Sequence, residues 1–219
     1  MNFKLNLKQC IALITCLIIT ISINAQVNSE EKKLDSITLK MFKDVNALDF
    51  ESIMDMTYPK VFEIASKDML LPVYKSMFLG NDEYKITIDK NIPAYKISEV
   101  FRVDSLQLDY AFVNYKMKMQ MEFLNQEFDE DTKDLMKNMM KTQGMSVSFI
   151  SDNTLDVVME NSMTLFLKDN NTEQQWKMLN YTPDSPMFFQ IVPTLVIEKA
   201  KEHFQNNMLE ESKQKAPKK

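Results

Sequence analysis

From Tyr115 to Glu122 the chain reads Tyr-Lys-Met-Lys-Met-Gln-Met-Glu, apolar at every odd position and polar at every even one. Side chains of an extended strand point alternately to opposite faces, so this run buries one face and wets the other. A helix would scatter the same residues around its circumference. The segment therefore calls for a sheet with a solvated side, which is an antiparallel sheet. Tyr84, Ile86 and Ile88 repeat the pattern against Lys85, Thr87 and Asp89, and Tyr95, Ile97, Val100 and Val103 follow it more loosely. Further strands are expected at Met145 to Ile150, Leu155 to Leu167, and Gln174 to Tyr181 around Trp176.

Ahead of these strands the apolar period is that of a helix. Ser29 is a good N-cap followed by Glu30 and Glu31, and Leu34, Ile37, Met41, Phe42 and Val45 then recur on one face. Asp49 caps a second helix carrying Phe50, Ile53, Met54 and Met56, which should end near Pro59. A third helical stretch runs from Val61 past Met69 and Val73 to Phe78, with Pro72 opening its final part and Gly80 ending it. Between two strands sits an inserted helix, with Asp129, Asp131 and Asp134 at its start, Lys137 and Lys141 at its end, and Gly144 as its stop. Its apolar stripe is Leu135, Met136, Met139 and Met140. Pro186 opens a short helix, and Pro193 opens a closing one carrying Val196, Ala200, Phe204 and Met208. The expected fold is α+β: N-terminal helices on one face of a strongly curved antiparallel sheet of roughly five or six strands, with an inserted helix and an extra C-terminal helix.

The first residues carry a different message. Lys4 and Lys8 form a basic start, Ile11 to Ile23 is an apolar or small-residue run, and Ala25 offers a small residue before Gln26. This is the layout of a cleaved secretory signal peptide, residues 1–25, and the run is too short for a permanent span, which takes about 20 residues. A lipoprotein site at Leu13-Ile14-Thr15-Cys16 is the weaker reading, because apolar residues continue past Cys16. Both cysteines, Cys10 and Cys16, fall inside the segment, so the chain from Gln26 on has no thiol for a disulfide, a nucleophile or a metal. One domain, residues 26–209, must then hold itself together by its core, and residues 210–219 are expected to be a disordered basic tail with Lys213, Lys215, Lys218 and Lys219. With few arginines and many lysines and asparagines, we expect a bacterial protein that is exported, periplasmic or extracellular, and not cytoplasmic.

Three stretches carry a resemblance. Asn46-Ala47-Leu48-Asp49-Phe50-Glu51 through Met56-Thr57-Tyr58-Pro59-Lys60 resembles the helical start of bacterial proteins with the nuclear transport factor 2-like cone fold. Asp109-Tyr110-Ala111-Phe112-Val113 through Met121, and Trp176-Lys177-Met178-Leu179, look like two of that fold's long strands. Ala65-Ser66-Lys67-Asp68 stands where a glycine-rich turn often follows the second helix, and the helix after Tyr181 is extra. The resemblance implies a cone-shaped sheet with a pocket, in a superfamily of isomerases, dehydratases and members that only bind or assemble; it does not choose among them.

The chemical inventory narrows the choice. Without Lys4 and Lys8 the formal charge falls from −5 to −7, and Arg102 is the only arginine, which excludes a nucleic-acid partner. His203 is the only histidine, so a two-imidazole metal site or a histidine-anchored triad is absent, and a partly exposed surface position is expected for it. Asp129 to Asp134 lacks the glycine sixth and glutamate twelfth of a calcium loop, since those places hold Asp134 and Met140. Met117, Met119 and Met121 could offer thioethers to copper(I), but alternation marks them as one side of a half-buried strand. No glycine-rich phosphate loop exists, because Gly80 and Gly144 stand alone. No catalytic residue, metal or cofactor is assigned.

The expected function is therefore a non-enzymatic binding or interaction domain. It would take an apolar small molecule, a lipid or a protein partner in a pocket lined by Tyr58, Phe62, Met117, Met119 and Trp176. The alternatives are a small acid–base enzyme, an isomerase or hydrolase-like relative using an inward carboxylate with Tyr58 or another tyrosine as hydrogen-bond donor, and a structural homodimer. No transmembrane segment is expected after processing.

Overall fold

The computed structural model describes residues 29–183 and 185–215. The expected signal segment and residues 216–219 of the basic tail lie outside the described residues.

A helix over 29–47, α1, opens the described chain and buries Leu34, Met41 and Phe42. Thr38 lies fully buried among them because its hydroxyl donates to the Leu34 carbonyl at 2.7 Å, which satisfies the group inside the helix. Helix α2 (Phe50–Met56) starts where Asp49 accepts from the Ser52 amide at 3.0 Å. Helix α3 (Val61–Ile64) is one turn long, and α4 (Lys67–Leu79) follows it. Pro72 does not open a final part of this stretch but sits inside α4. The break comes earlier, where Ala65 is extended and Ser66 caps α4 by accepting from the Met69 amide.

Seven antiparallel strands form one sheet that does not close. Its centre is the pair β4 (Leu108–Phe123) and β6 (Thr154–Lys168), in register from Asp109↔Lys168 to Glu122↔Thr154. Along the outer edge of β4 lie β1 (Tyr84–Ile88), β2 (Tyr95–Ile97) and β3 (Phe101–Val103). Along the outer edge of β6 lie β5 (Met145–Phe149) and β7 (Lys177–Asn180). The count exceeds five or six because the loose run from Tyr95 to Val103 is two short strands with Ser98–Val100 between them. Beyond Tyr115↔Ser162 the register slips to Met117↔Met159, which puts an extra residue on β6.

Helices cover both faces of the sheet, not one. Ala111, Val113, Phe166 and Met178 face α1 and α2, whereas Tyr110, Phe112, Leu165 and Leu179 face the C-terminal helices α6 (Pro186–Ile191) and α7 (Thr194–Lys215). A strand packed on both sides is apolar at consecutive positions, and Tyr110-Ala111-Phe112-Val113 is such a run. Helix α7 also carries the chain past Leu209 to Lys215, so 210–215 is helical where a disordered tail was expected. Glu210, Glu211, Lys213 and Gln214 are sound helix formers, and the first breaker is Pro217.

The inserted helix α5 (Glu130–Thr142) is capped by Asp129 and rests on β5. Its stripe is split: Met136 and Met140 are partly buried, whereas Leu135 is 60% and Met139 55% exposed, and Lys133 is only 7% exposed. The Lys133 ammonium bonds Glu130 and Asp152, both at 2.7 Å, and lies 5.8 Å from the centre of the Phe149 ring. Its hydrocarbon stem thus covers apolar surface while its charge stays paired. No helix of the described residues is long and apolar enough to cross a membrane.

Glu30 ties the first turn of α1 to the sheet. It accepts from Trp176 Nε1 at 2.8 Å and Lys168 Nζ at 3.2 Å, and it also pairs with Lys33. Burial alone would push its carboxyl up, but the Lys33, Trp176 and Lys168 hydrogen bonds outweigh that and hold it at about 2. A depressed carboxyl stabilises the fold above its unfolded value, near 4.5, and loses that contribution as pH falls towards 2. After solvent screening we expect a loss on the order of 2 kcal/mol between pH 6 and pH 2, read by urea unfolding. Glu30→Gln should be less stable at pH 6 and should lose correspondingly less on acidification. An identical pH profile for the two proteins would refute this role.

Candidate functional site

A partly open cavity of about 970 Å³ lies where α1, α4 and the sheet meet. Met41, Phe42 and Val45 of α1 form one wall, Leu70, Tyr74 and Phe78 of α4 a second, and Tyr115, Met117 and Met178 of the sheet a floor. Helix α4 is amphipathic in an unusual sense. None of its side chains is fully buried, with Leu70, Tyr74 and Phe78 turned to the cavity and Met69, Val73 and Met77 exposed.

The wall opens at the edge of β4. Between Ile88↔Met119 and Tyr95↔Tyr115 the chain leaves the ladder: the Asp89 amide still donates to the Lys118 carbonyl at 3.3 Å, and β4 has no in-register strand partner on this edge beside Lys116 and Met117. Asp89, Asn91, Pro93 and Ala94 border the cavity there, and so do Lys96, Lys116 and Lys118. By strand alternation Met117 belongs to the α1 side, and Asn114, Lys116 and Lys118 belong to the α7 side. The cavity is thus bordered by an apolar face and, round an open edge, by a polar one. Asn207, Glu210 and Glu211 of α7 complete the polar part.

Hydroxyls line the transition. Tyr115 and Thr164 share a hydrogen bond at 3.2 Å, and Thr164 reaches Asn180 at 3.1 Å, across three neighbouring strands. Burial raises the Tyr115 phenol above its ordinary value. Tyr95 donates to Asp35 at 2.6 Å, and burial together with that carboxylate pushes its phenol up to about 12. Both tyrosines are therefore hydroxyl donors at neutral pH.

Asn114 and His203 make the least expected arrangement. His203 is partly exposed, yet its ring stacks on the Phe112 ring with centroids 4.6 Å apart, and its Nε2 lies 2.7 Å from Asn114 Oδ1. Burial first, and Lys199 second, lower its pKa, so the ring is neutral at pH 7. Because Oδ1 accepts, Nε2–H donates, and the Asn114 amide nitrogen is turned the other way. That nitrogen is buried and has no hydrogen-bond partner among the described residues.

Of the five residues expected to line a pocket, Met117 borders the cavity and the other four do not. Tyr58 is fully buried, with its hydroxyl 2.8 Å from Asp169 Oδ2. Trp176 is committed to Glu30, and Phe62 lies half-buried with the Lys67 ammonium 5.3 Å from its ring centre. Met119 stands two cross-strand pairs beyond Met117, opposite Val157. Sequence reasoning missed Asn114, although a lone amide closing the apolar run Tyr110–Val113 was a signal of a buried polar task.

Among the described residues no group of three or more His, Cys, Asp or Glu side chains is placed to hold a metal ion. What these features define is an α+β domain with a largely apolar cavity and a polar rim. Comparison with protein-family models, with curated proteins and with solved structures finds no match.

Proposed function

We propose that the protein is a non-enzymatic binding domain that holds a small apolar molecule in the cavity between α1, α4 and the sheet. The cavity carries this reading: at about 970 Å³ it lies at the top of the roughly 300–1,000 Å³ span of small-molecule sites, with apolar walls and a few polar groups to orient a ligand. A catalytic reading finds less support. The buried tyrosine–carboxylate pair, Tyr58 with Asp169, does not border the cavity, and the rim carboxylate Asp89 is occupied by Asn91.

The test is binding of 1-octanol, 1-decanol and 1-dodecanol by calorimetry. If the walls hold the chain, each added methylene tightens binding by up to about fourfold, the equivalent of ~0.8 kcal/mol. Absence of binding by all three, or affinity indifferent to chain length, would overturn the proposal.

We further propose that the protein works outside the cytoplasm, on the strength of residues 1–25, and that it is related to the nuclear transport factor 2-like cone proteins, on the resemblance between about residues 30 and 182. Helices followed by antiparallel strands agree with that kinship. Retention of residues 1–25 on the protein purified from its own cells would count against the first, and an experimental structure that fails to superpose on the cone against the second.

A further inference from the structure

We propose that the polar rim of the cavity is a head-group subsite, so that the ligand is a single-chain amphiphile ending in a carboxylate. This rests on the cavity reading above and adds to it a statement about charge. Three observations meet at one place.

Asn114 is 7% exposed and borders the cavity, yet its amide nitrogen has no acceptor among the described residues. An unpaired buried donor costs about 1–3 kcal/mol, so a residue held this way by His203 is poised for an acceptor that arrives from outside. Lys96 stands directly across the β2–β4 pair from Asn114, and Lys118 lies further along the same face of β4. Neither ammonium has an ion pair among the described residues. Lys116, between them, is already answered by Glu160 at 3.0 Å, with Glu211 adding to the field that raises its pKa. The rim therefore presents one buried neutral donor and two uncommitted cations.

A carboxylate fits this set. It accepts from the Asn114 nitrogen with one oxygen and leaves the other to the lysines, and charge-assisted hydrogen bonds of this kind are about twice as strong as neutral ones. The break in the β4 edge at Asp89–Ala94 supplies the path, because it joins the apolar wall under α1 and α4 to the face that carries Asn114. A chain laid against Phe42, Leu70 and Met117 would bring its head round that edge. Glu210 and Glu211 on α7 argue for the opposite sign, a cationic head, and the experiment is arranged to separate the two.

Dodecanoate, 1-dodecanol and dodecylamine are titrated into the whole protein at pH 7.5 in low salt. We expect dodecanoate to bind at least about tenfold more tightly than the alcohol, with the margin shrinking as salt rises. In Lys96→Gln/Lys118→Gln, both exposed positions, the acid should fall to near the alcohol's affinity while the alcohol is unmoved. Asn114→Asp, which keeps the shape and places a negative charge beside the head, should weaken the acid more than the alcohol. If acid and alcohol bind equally, if the amine is preferred, or if the double variant keeps the acid's advantage, the head-group subsite is wrong while the apolar cavity stands. If none of the three binds, the cavity reading and this one fail together.

Discussion

Phe112→Ala is expected to lower the free energy of unfolding by about 3–5 kcal/mol, the usual cost of emptying a fully buried aromatic site. Phe112 is 0% exposed on the central strand β4, between Phe101 at 5.8 Å, Tyr110 at 5.7 Å and His203 at 4.6 Å, ring centre to ring centre. The cavity left by the ring cannot collapse, because β4 is fixed on one side by β6 and on the other by β2 and β3. The substitution also removes the surface on which His203 stacks, and His203 holds the Asn114 amide. Loss of stability should therefore come with loss of any preference for a charged head group, measured on the protein that remains folded at low temperature. Met69→Ala on α4, two-thirds exposed, is the contrast and should cost less than about 0.5 kcal/mol. Urea unfolding of the two variants decides it; a change below 1 kcal/mol for Phe112→Ala would mean that the C-terminal helices are not packed on this face.

The elements written in local chemistry were legible in the sequence. Period-two runs gave β1 and the outer half of β4, Asp49 and Asp129 marked helix starts by side chains that accept from the amides three residues on, and Pro186 and Pro193 announced α6 and α7. The second covered face was hidden by length. Alternation from Tyr115 to Glu122 is real, but from Leu108 to Asn114 the same strand is buried on both sides, and a rule taken from one half misreads the other. Lys133 illustrates a different limit, since a lysine counts as polar by composition and is buried here only because Asp152 and Glu130 meet its ammonium. The cavity was the least legible feature. Its walls come from α1, α4, β4 and β7, brought together by packing between residues more than a hundred positions apart, and no local pattern records which faces are left unfilled. Tyr58 and Trp176 were sensible candidates by residue type, yet each has its polar atom consumed by a distant carboxylate, Asp169 and Glu30.

Asp169→Ala should be about as damaging as the loss of Phe112, by a different route. The Asp169 carboxylate is 7% exposed and accepts from Tyr58 Oη at 2.8 Å, Asn171 Nδ2 at 2.7 Å and the Thr172 amide at 3.1 Å. Asp169 and Thr172 also close a reciprocal capping box over the short turn Asn170–Thr172, which links β6 to β7. Alanine removes the cap, worth about 0.5–2 kcal/mol, and strands the buried Tyr58 hydroxyl at about 1–3 kcal/mol, while the Thr172 amide keeps its bond to the Asp169 carbonyl at 3.2 Å, so we expect a total near 2–5 kcal/mol. Tyr58→Phe removes one donor and leaves the carboxylate two others, and should cost about 1–2 kcal/mol. The pair also separates a scaffold from a catalyst. Burial and Asp169 both raise the Tyr58 phenol well above its ordinary value, so it keeps its proton, donates a hydrogen bond across the accessible pH range and is a poor acid at neutral pH. Tyr58→Phe should accordingly leave dodecanol affinity unchanged within about twofold while shifting the urea midpoint. The reverse outcome, full stability with affinity or turnover lost, would move Tyr58 and Asp169 from the frame of the molecule to its working site, and the binding-domain reading would have to yield to acid–base chemistry.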